Sequence, residues 1–454
     1  MVQTQLSDLP NELITQICSF VSPAPSELRL IHLAGRPKED QAWATDCESR
    51  AALLSLGLSC RRFSAAAIPE IYRTVRIGLP GRGRRPGVAA KNDIIRLLKT
   101  LQLNPQAHRS VKQLWIYTGV TADGQALHIY YNAEDVKVLR AAAEAVGVWY
   151  PAEPGLYYSQ QRLALDIFVL LSRFDSVEEL GLSLGASTFK IFSERLQWRK
   201  PQLRLKNLFL VAKPSSNRPA LELHRECFST FSLLPTSSIF LEGIRVPAQP
   251  AADVSNLTSI RLAFVDIDMM HLTRVIRDCR QLVAFWLIGA RDLARYPAPP
   301  DPAIVVDALK QHAGTLDVLT LILGLDRQNR TIEDGGTRRV TSLSSFRRLR
   351  VLRMDDKVFE SGQRDVDVGN QPHVVDSATH GFVGSLPPSL QHLELYWTKG
   401  THAVDDLRRL DLNLSSGLLP ALRRVHIQRF DPPLTDLEES LRARGLHVVP
   451  TIKW

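Results

Sequence analysis

Cysteine is scarce and scattered in this chain. Cys18, Cys47, Cys60, Cys227 and Cys279 are the five in 454 residues, with no Cys-x-x-Cys pair and no Cys/His cluster at zinc-ligand spacing. Such an odd, dispersed set excludes a disulfide framework and fits a reducing compartment. Long apolar runs are missing too. No stretch approaches the ~20 residues a helix needs to cross a bilayer, and the first twenty residues carry Asp8 and Glu12 without a basic start. Neither membrane insertion nor secretion is expected, and the glycosylation-type tripeptides at Asn256 and Asn413 then read as chance. Basic blocks of the kind that form nucleic-acid arms are likewise absent. The 56 basic and 47 acidic residues leave a net +9 spread along the chain, carried by 43 Arg against 13 Lys. An arginine excess suits bidentate pairing with carboxylates or phosphates, and no nucleic-acid partner is expected. The twelve histidines are scattered without a His-Glu-x-x-His, so no metal and no cofactor is expected. The expected location is cytoplasmic or nuclear.

What remains is an ordinary soluble composition, 44% hydrophobic and 23% charged. At roughly 150 residues per domain the length allows about three domains or one long repeat array.

The first patterned segment runs from Leu6 to Val21. Pro10 suits the first turn of a helix, and Asp8 and Glu12 complement its positive end. Leu9, Leu13 and Ile17 fall at i, i+4, i+8 on one face with Ile14 and Val21 beside them, a stripe too wide for so short a helix to cover alone. A second helix is predicted over Ala51 to Ala67, limited by Pro69, and Thr74 to Ile77 alternates like a strand.

Three segments in order, Leu9-Pro-x-Glu-Leu-x-x-x-Ile17, Leu56-x-Leu-x-Cys-Arg-Arg-Phe63 and Ile68-Pro-x-Ile-Tyr-Arg-Thr-Val75, resemble an F-box of the form common among fungal F-box proteins. The resemblance implies docking onto the Skp-type adaptor of a cullin-RING ubiquitin ligase, with an apolar helical face laid in a partner groove. Carried over position by position, the implied adaptor contacts are Leu9, Pro10, Leu13, Ile17, Leu56, Cys60, Arg62 and Phe63. Two features depart from the pattern. Residues 22–50, with Pro23, Pro25 and Pro37, read as an insertion between the two halves, and Ser59 puts on the docking face a hydroxyl that must find a partner. The competing reading makes residues 1–77 a helical cap whose leucines are internal core.

Next comes Gly78-Leu-Pro-Gly-Arg-Gly-Arg-Arg-Pro-Gly87, read with its flank as a loop or linker over 78–91. No Lys-Ser/Thr follows, so it is not a phosphate-binding loop.

Beyond it a three-point apolar pattern recurs. Its copies are Val111-x-x-Leu114-x-Ile116, Val177-x-x-Leu180-x-Leu182, Leu205-x-x-Leu208-x-Leu210, Leu257-x-x-Ile260-x-Leu262 and Leu282-x-x-Phe285-x-Leu287. Leu316-x-x-Leu319-x-Leu321, Leu349-x-x-Leu352-x-Met354, Leu390-x-x-Leu393-x-Leu395 and Leu422-x-x-Val425-x-Ile427 complete the series. From the fourth copy onward the starts are 25 to 41 residues apart. Helix-like stretches, such as Asp266 to Arg280 and Pro302 to Ala313, lie between copies. Ile239-Phe240-Leu241 reads as a further strand, and the stretch from 117 to 176, with helices predicted over Glu134 to Val146 and Leu163 to Arg173, as the place of another. These units resemble degenerate leucine-rich repeats, since strand, turn, helix and return is that family's unit and its usual asparagine is missing. The predicted fold is α/β, a helical F-box over 1–77 followed across 92–454 by an irregular leucine-rich-repeat solenoid with a parallel concave sheet. A plain βα sandwich is the competing fold. A helix from Leu434 to Ala443 and a strand from Leu446 to Ile452 read as a terminal cap.

Catalytic signals are few. Gly181-Leu-Ser-Leu-Gly185 matches the nucleophile elbow of hydrolases, but Ser183 lies inside a repeat strand and has no assignable Asp or His partner. Asp266, Asp268 and His271 are adequately explained by helix capping. Of the basic runs near repeat strands, Arg350, Arg353 and Arg424 are the candidates for recognising an acidic or phosphorylated segment of a target protein. The expectation is a non-catalytic substrate receptor of a Skp/cullin/F-box ligase. A repeat scaffold without ubiquitin output is the runner-up.

Overall fold

The computed structural model describes residues 9–21, 36–78, 86–104, 107–118, 128–153, 155–184, 188, 192, 204–211, 221–222, 236–246, 254–263, 265–289, 301–323, 340–355, 358, 382–396, 410, 414, 417–428 and 435–449. Two compact units divide the chain, Met1–Leu205 and Lys206–Trp454.

In the first unit, helices α1 (Asn11–Val21), α2 (Arg36–Ser59) and α3 (Arg61–Arg73) lead into strand β1 (Thr74–Ile77). Pro10 opens α1 as expected, its carbonyl accepting from the Ile14 amide at 3.1 Å. The long helix predicted over Ala51 to Ala67 is two helices, because Cys60 is extended (φ −161°, ψ 164°) and caps the start of α3. Pro69 does not limit α3, which runs through it to Arg73. A proline inside a helix loses one backbone bond and strains one carbonyl; here Phe63 and Ala67, both buried, hold the same helix to its neighbours. Within the expected insertion 22–50, Arg36 to Arg50 form the first turns of α2, and 22–35 lie outside the described residues.

The predicted linker over 78–91 gives way at Pro86 to helix α4 (Pro86–Leu103). Proline suits that first turn, and Ala89, Ala90 and Lys91 are already buried. After the short α5 (Ala107–Ser110) come β2 (Gln113–Tyr117), β3 (His128–Tyr131), α6 (Ala133–Glu144), β4 (Gly155–Tyr158), α7 (Ser159–Leu171) and β5 (Glu179–Ser183). β1, β2 and β5 form a parallel sheet, Val75 level with Leu114 and Leu114 with Leu180. β2 therefore pairs directly with β5. The stretch 117–176 adds no described strand to this sheet; its β3 and β4 pair with each other, antiparallel.

The second unit repeats one device. β6 (Asn207–Val211), β8 (Ser238–Glu242), β10 (Ser259–Ala263), β12 (Ala284–Ile288), β13 (Val318–Ile322), β14 (Val351–Asp355), β15 (His392–Tyr396), β16 (Arg424–Gln428) and β17 (His447–Val449) lie side by side in chain order, all parallel. Three short strands, β7 (Leu221–Glu222), β9 (Ile244–Val246) and β11 (Asp266–Ile267), form a second parallel sheet, one after each of the first three long strands. Helix α8 (Met269–Asp278) shares the connection of β11, α9 (Pro302–Leu309) lies in the next, and α10 (Thr435–Ala443) precedes β17. Asp268 and Asp301 cap α8 and α9, accepting from the amides of His271 and of Ala303 and Ile304.

Every copy of the three-point pattern lands on one of these long parallel strands, in both units. Its first residue precedes the strand and is at most 6% exposed; the second and third residues whose side chains are described point into the core and are buried. Alternation along each strand then turns the intervening residues to the opposite face. Burial of each such aliphatic side chain is worth about 1.5–3 kcal/mol. The architecture is α/β with parallel sheets. The helix and strand predicted at the carboxy-terminal end are present as α10 and β17, with Glu439, Arg442 and Arg444 exposed.

Candidate functional site

The amino-terminal helices sort their apolar residues into two sets. Ile14 and Cys18 of α1, Leu53 of α2, and Phe63 and Ala67 of α3 form a buried cluster, with Leu9, Val21, Leu56, Cys60, Ala66 and Ile71 packed at its edge. Burial pushes the Cys18 thiol pKa up, with the Glu70 charge adding to it. The other set faces outward. Leu13 and Phe20 lie seven residues apart on one side of α1 with Ile17 between them, and Leu54 and Leu58 lie four apart on α2. Phe20 is 91% exposed and Leu58 87%.

This sorting alters the predicted adaptor contacts. Pro10 and Leu13 are exposed, while Leu9, Ile17, Leu56 and Cys60 are half-buried. Phe63 is buried, because the α1–α2–α3 packing closes over it. Arg62 staples the start of α1, donating from Nη2 to the Leu9 carbonyl (2.8 Å) and to Asn11 Oδ1 (2.8 Å). Ser59 finds its partner locally, its hydroxyl donating to the Leu56 carbonyl at 2.6 Å. Phe20, Leu54 and Leu58 were not assigned from sequence. The signal for them was the i, i+7 and i, i+4 spacing on faces that the inward set leaves uncovered.

A second surface is the open face of the nine-strand sheet. Register places Phe209, Phe240, Arg261, Trp286, Thr320, Arg353, Glu394 and His426 in one row across adjacent strands. The Phe209 and Phe240 rings are 5.9 Å apart between centroids. Trp286 is sandwiched, with the Arg261 guanidinium 4.2 Å and that of Arg353 5.1 Å from its ring centroid. Arg353 also donates to Glu394 Oε2 at 2.7 Å. Glu394 Oε1 accepts from the Tyr396 hydroxyl (2.7 Å) and faces His426 Nδ1 at 3.2 Å. Burial pushes the Glu394 pKa upward, but the bonds from His426 and Tyr396 and the Arg353 charge outweigh it and hold it at about 2.

The three predicted target-binding arginines are therefore not one patch. Arg353 lies on the open face with its charge matched by Glu394. Arg424 is exposed on β16, on the same face but two strands away and two residues earlier in register. Arg350 precedes β14 and pairs with Asp317, at the strand entrance and outside the row.

The first unit holds a polar cluster that sequence reasoning did not find. Tyr131 and Tyr150 donate to the two oxygens of Asp166 at 2.6 and 2.5 Å, and Arg162 donates to the Tyr150 hydroxyl at 3.1 Å. The Arg162 guanidinium stands 4.8 Å from both tyrosine ring centroids. Burial raises the Asp166 pKa to about 6 against the bonds from both tyrosines and the charges of Arg162 and Lys91. The available signal was on α7, where Arg162 and Asp166 sit four apart among residues apolar on all sides. A helix of that kind is buried, and its charges must be paired.

Ser183 lies at the end of β5, level with Tyr117, and its carbonyl accepts from the Thr118 amide at 2.9 Å. It is paired within the strand, whereas an elbow holds its serine at the turn beyond one. Gly181 has a packing reason instead: a Cβ there would fall 2.0 Å from the Trp115 ring. Among the described residues no group of three or more His, Cys, Asp or Glu is placed to hold a metal. No described helix is long and apolar enough to cross a membrane. Compared with known proteins, the chain matches no protein-family model and no curated protein.

Proposed function

We propose that this chain is a non-catalytic substrate receptor of a Skp/cullin/F-box ubiquitin ligase, its amino-terminal helices holding the adaptor and its repeated strands presenting a surface to a target protein. The observation that carries the reading is the outward apolar set of Leu13, Phe20, Leu54 and Leu58, standing beside a core that is already complete without them. Large apolar side chains exposed on neighbouring helices mark a surface that another protein covers. The helix-in-groove mode accounts for their spacing. On this reading the repeated strands act by proximity, raising the concentration of target near the transfer enzyme. The open face supports that role through the partly exposed Arg261 and Arg353 and the exposed Arg424, a residue type enriched at protein interfaces.

The test is co-purification of the full chain with a Skp-type adaptor, alongside a Phe20→Asp/Leu58→Asp variant. Both positions are exposed, so the variant retains its far-UV circular dichroism. The expected result is 1:1 recovery of the native chain and loss of the adaptor from the variant. A folded native chain that never retains the adaptor overturns the ligase reading and leaves an interaction scaffold.

A further inference from the structure

The row across the open face holds a local excess of hydrogen-bond donors. Trp286 is 8% and Thr320 1% exposed, yet the Trp286 Nε1 and Thr320 Oγ1 atoms are buried without a hydrogen-bond partner. A buried donor left unmatched costs about 1–3 kcal/mol, and the indole N–H can be satisfied only by an acceptor. The nearest carboxylate in the row does not serve. Both oxygens of Glu394 are engaged, by Arg353 on one side and by Tyr396 and His426 on the other. The remaining carboxylates on this face, Glu242 and Asp355, stand two residues further along their strands.

Positive charge brackets the same two atoms. Arg261 lies on the strand before Trp286, and Arg353 on the strand after Thr320. Strands are ~4.8 Å apart, so Arg353 can bring its guanidinium to the Trp286 ring only by reaching across Thr320. The guanidiniums of both arginines lie against the indole that carries one of the two donors, and each carries several donors in a fork suited to an oxyanion.

We infer that Trp286, Thr320, Arg261 and Arg353 form an oxyanion site, which receives a phosphate or carboxylate group from an acidic segment of a bound target protein. In the occupied state the oxyanion accepts from the indole N–H and the threonine hydroxyl while the guanidiniums swing from the ring to its oxygens. The inference deepens the target-binding half of the proposed function. It is read without the adaptor, so either can fail while the other stands.

The experiment is an indole-region amide correlation NMR spectrum of the full chain, titrated with inorganic phosphate, with acetate, and with sodium chloride at matched ionic strength. The Trp286 signal, one of seven indoles, is assigned by its loss in Trp286→Phe. Should that variant misfold, the assignment comes from the indole signal displaced in Thr320→Val. The expected result is a saturable downfield movement of the Trp286 signal with phosphate or acetate that chloride does not produce, and the more effective anion identifies the target group. Arg261→Gln should weaken binding about tenfold, the loss of one charge-assisted bond, and Thr320→Val several-fold. A Trp286 signal that follows chloride alone overturns the inference, and so does binding that both substitutions leave unchanged.

Discussion

Gly181 and Glu394 carry the sharpest consequences of single side chains. Gly181 sits on β5 under the Trp115 indole, which is itself 7% exposed and has little room to yield. Gly181→Ala should therefore destabilise the first unit by about 1–3 kcal/mol, the usual range for overpacking, read as a fall in its urea midpoint. A glycine in an ordinary backbone conformation with open space around it would instead gain stability from alanine. Glu394 has the opposite sensitivity, to charge. Its folded-state pKa of about 2 lies below the ordinary 4.5, so its contribution is present above pH 4.5 and is lost as pH falls toward 2. Glu394→Gln should lower stability at pH 7 by roughly 3 kcal/mol, at 1.36 kcal/mol per unit of pKa. The difference from the native chain should shrink below pH 4.5 and vanish near pH 2, as followed by urea midpoints at each pH.

At the scale of elements, α2 and α3 show how helices end for local reasons. The chain breaks at Cys60 where the backbone is extended, and yet it passes through Pro69 because Phe63 and Ala67 anchor that helix from its inner face. Gly57 occupies the last turns of α2 with only ordinary contacts around an added Cβ, the nearest being Ala67 Cβ at 3.6 Å. Gly57→Ala should raise stability by about 0.5–1 kcal/mol, from helix propensity and a less flexible unfolded chain. A rise in the thermal midpoint of the amino-terminal helices, followed by circular dichroism, checks it.

At the scale of the molecule, a sheet edge is a surface that other strands can join. β17 lies at one edge of the nine-strand sheet and α10 precedes it. Ending the chain at Gln428 would strip both and leave the full length of β16 unpaired on that side. Terminal units of stacked arrays keep the array soluble, so the truncated chain should self-associate where the intact chain does not. Light scattering on a sizing column distinguishes the two.

Much of this was determined by sequence alone. The three-point apolar pattern located the repeated parallel strands because a period of two on a buried face admits one register, and a slip by one residue would turn the whole set outward. Asp268 was read as a cap for a similarly local reason, since its acceptor lies three residues from the amide it serves. Only the tertiary structure decided the rest. Which side of α1 faces inward depends on the partner helices, so the stripe read as Leu9, Leu13 and Ile17 separated into an inner Ile14 and Cys18 and an outer Leu13 and Phe20. Phe63 is buried for the same reason. Arg350, Arg353 and Arg424, close in kind, were placed in three electrostatic settings by residues on other strands. The row that sandwiches Trp286 joins positions 261, 286, 320 and 353, brought side by side only by strand register. No linear spacing encodes that neighbourhood, because the connections between strands vary in length while the ladder between them does not.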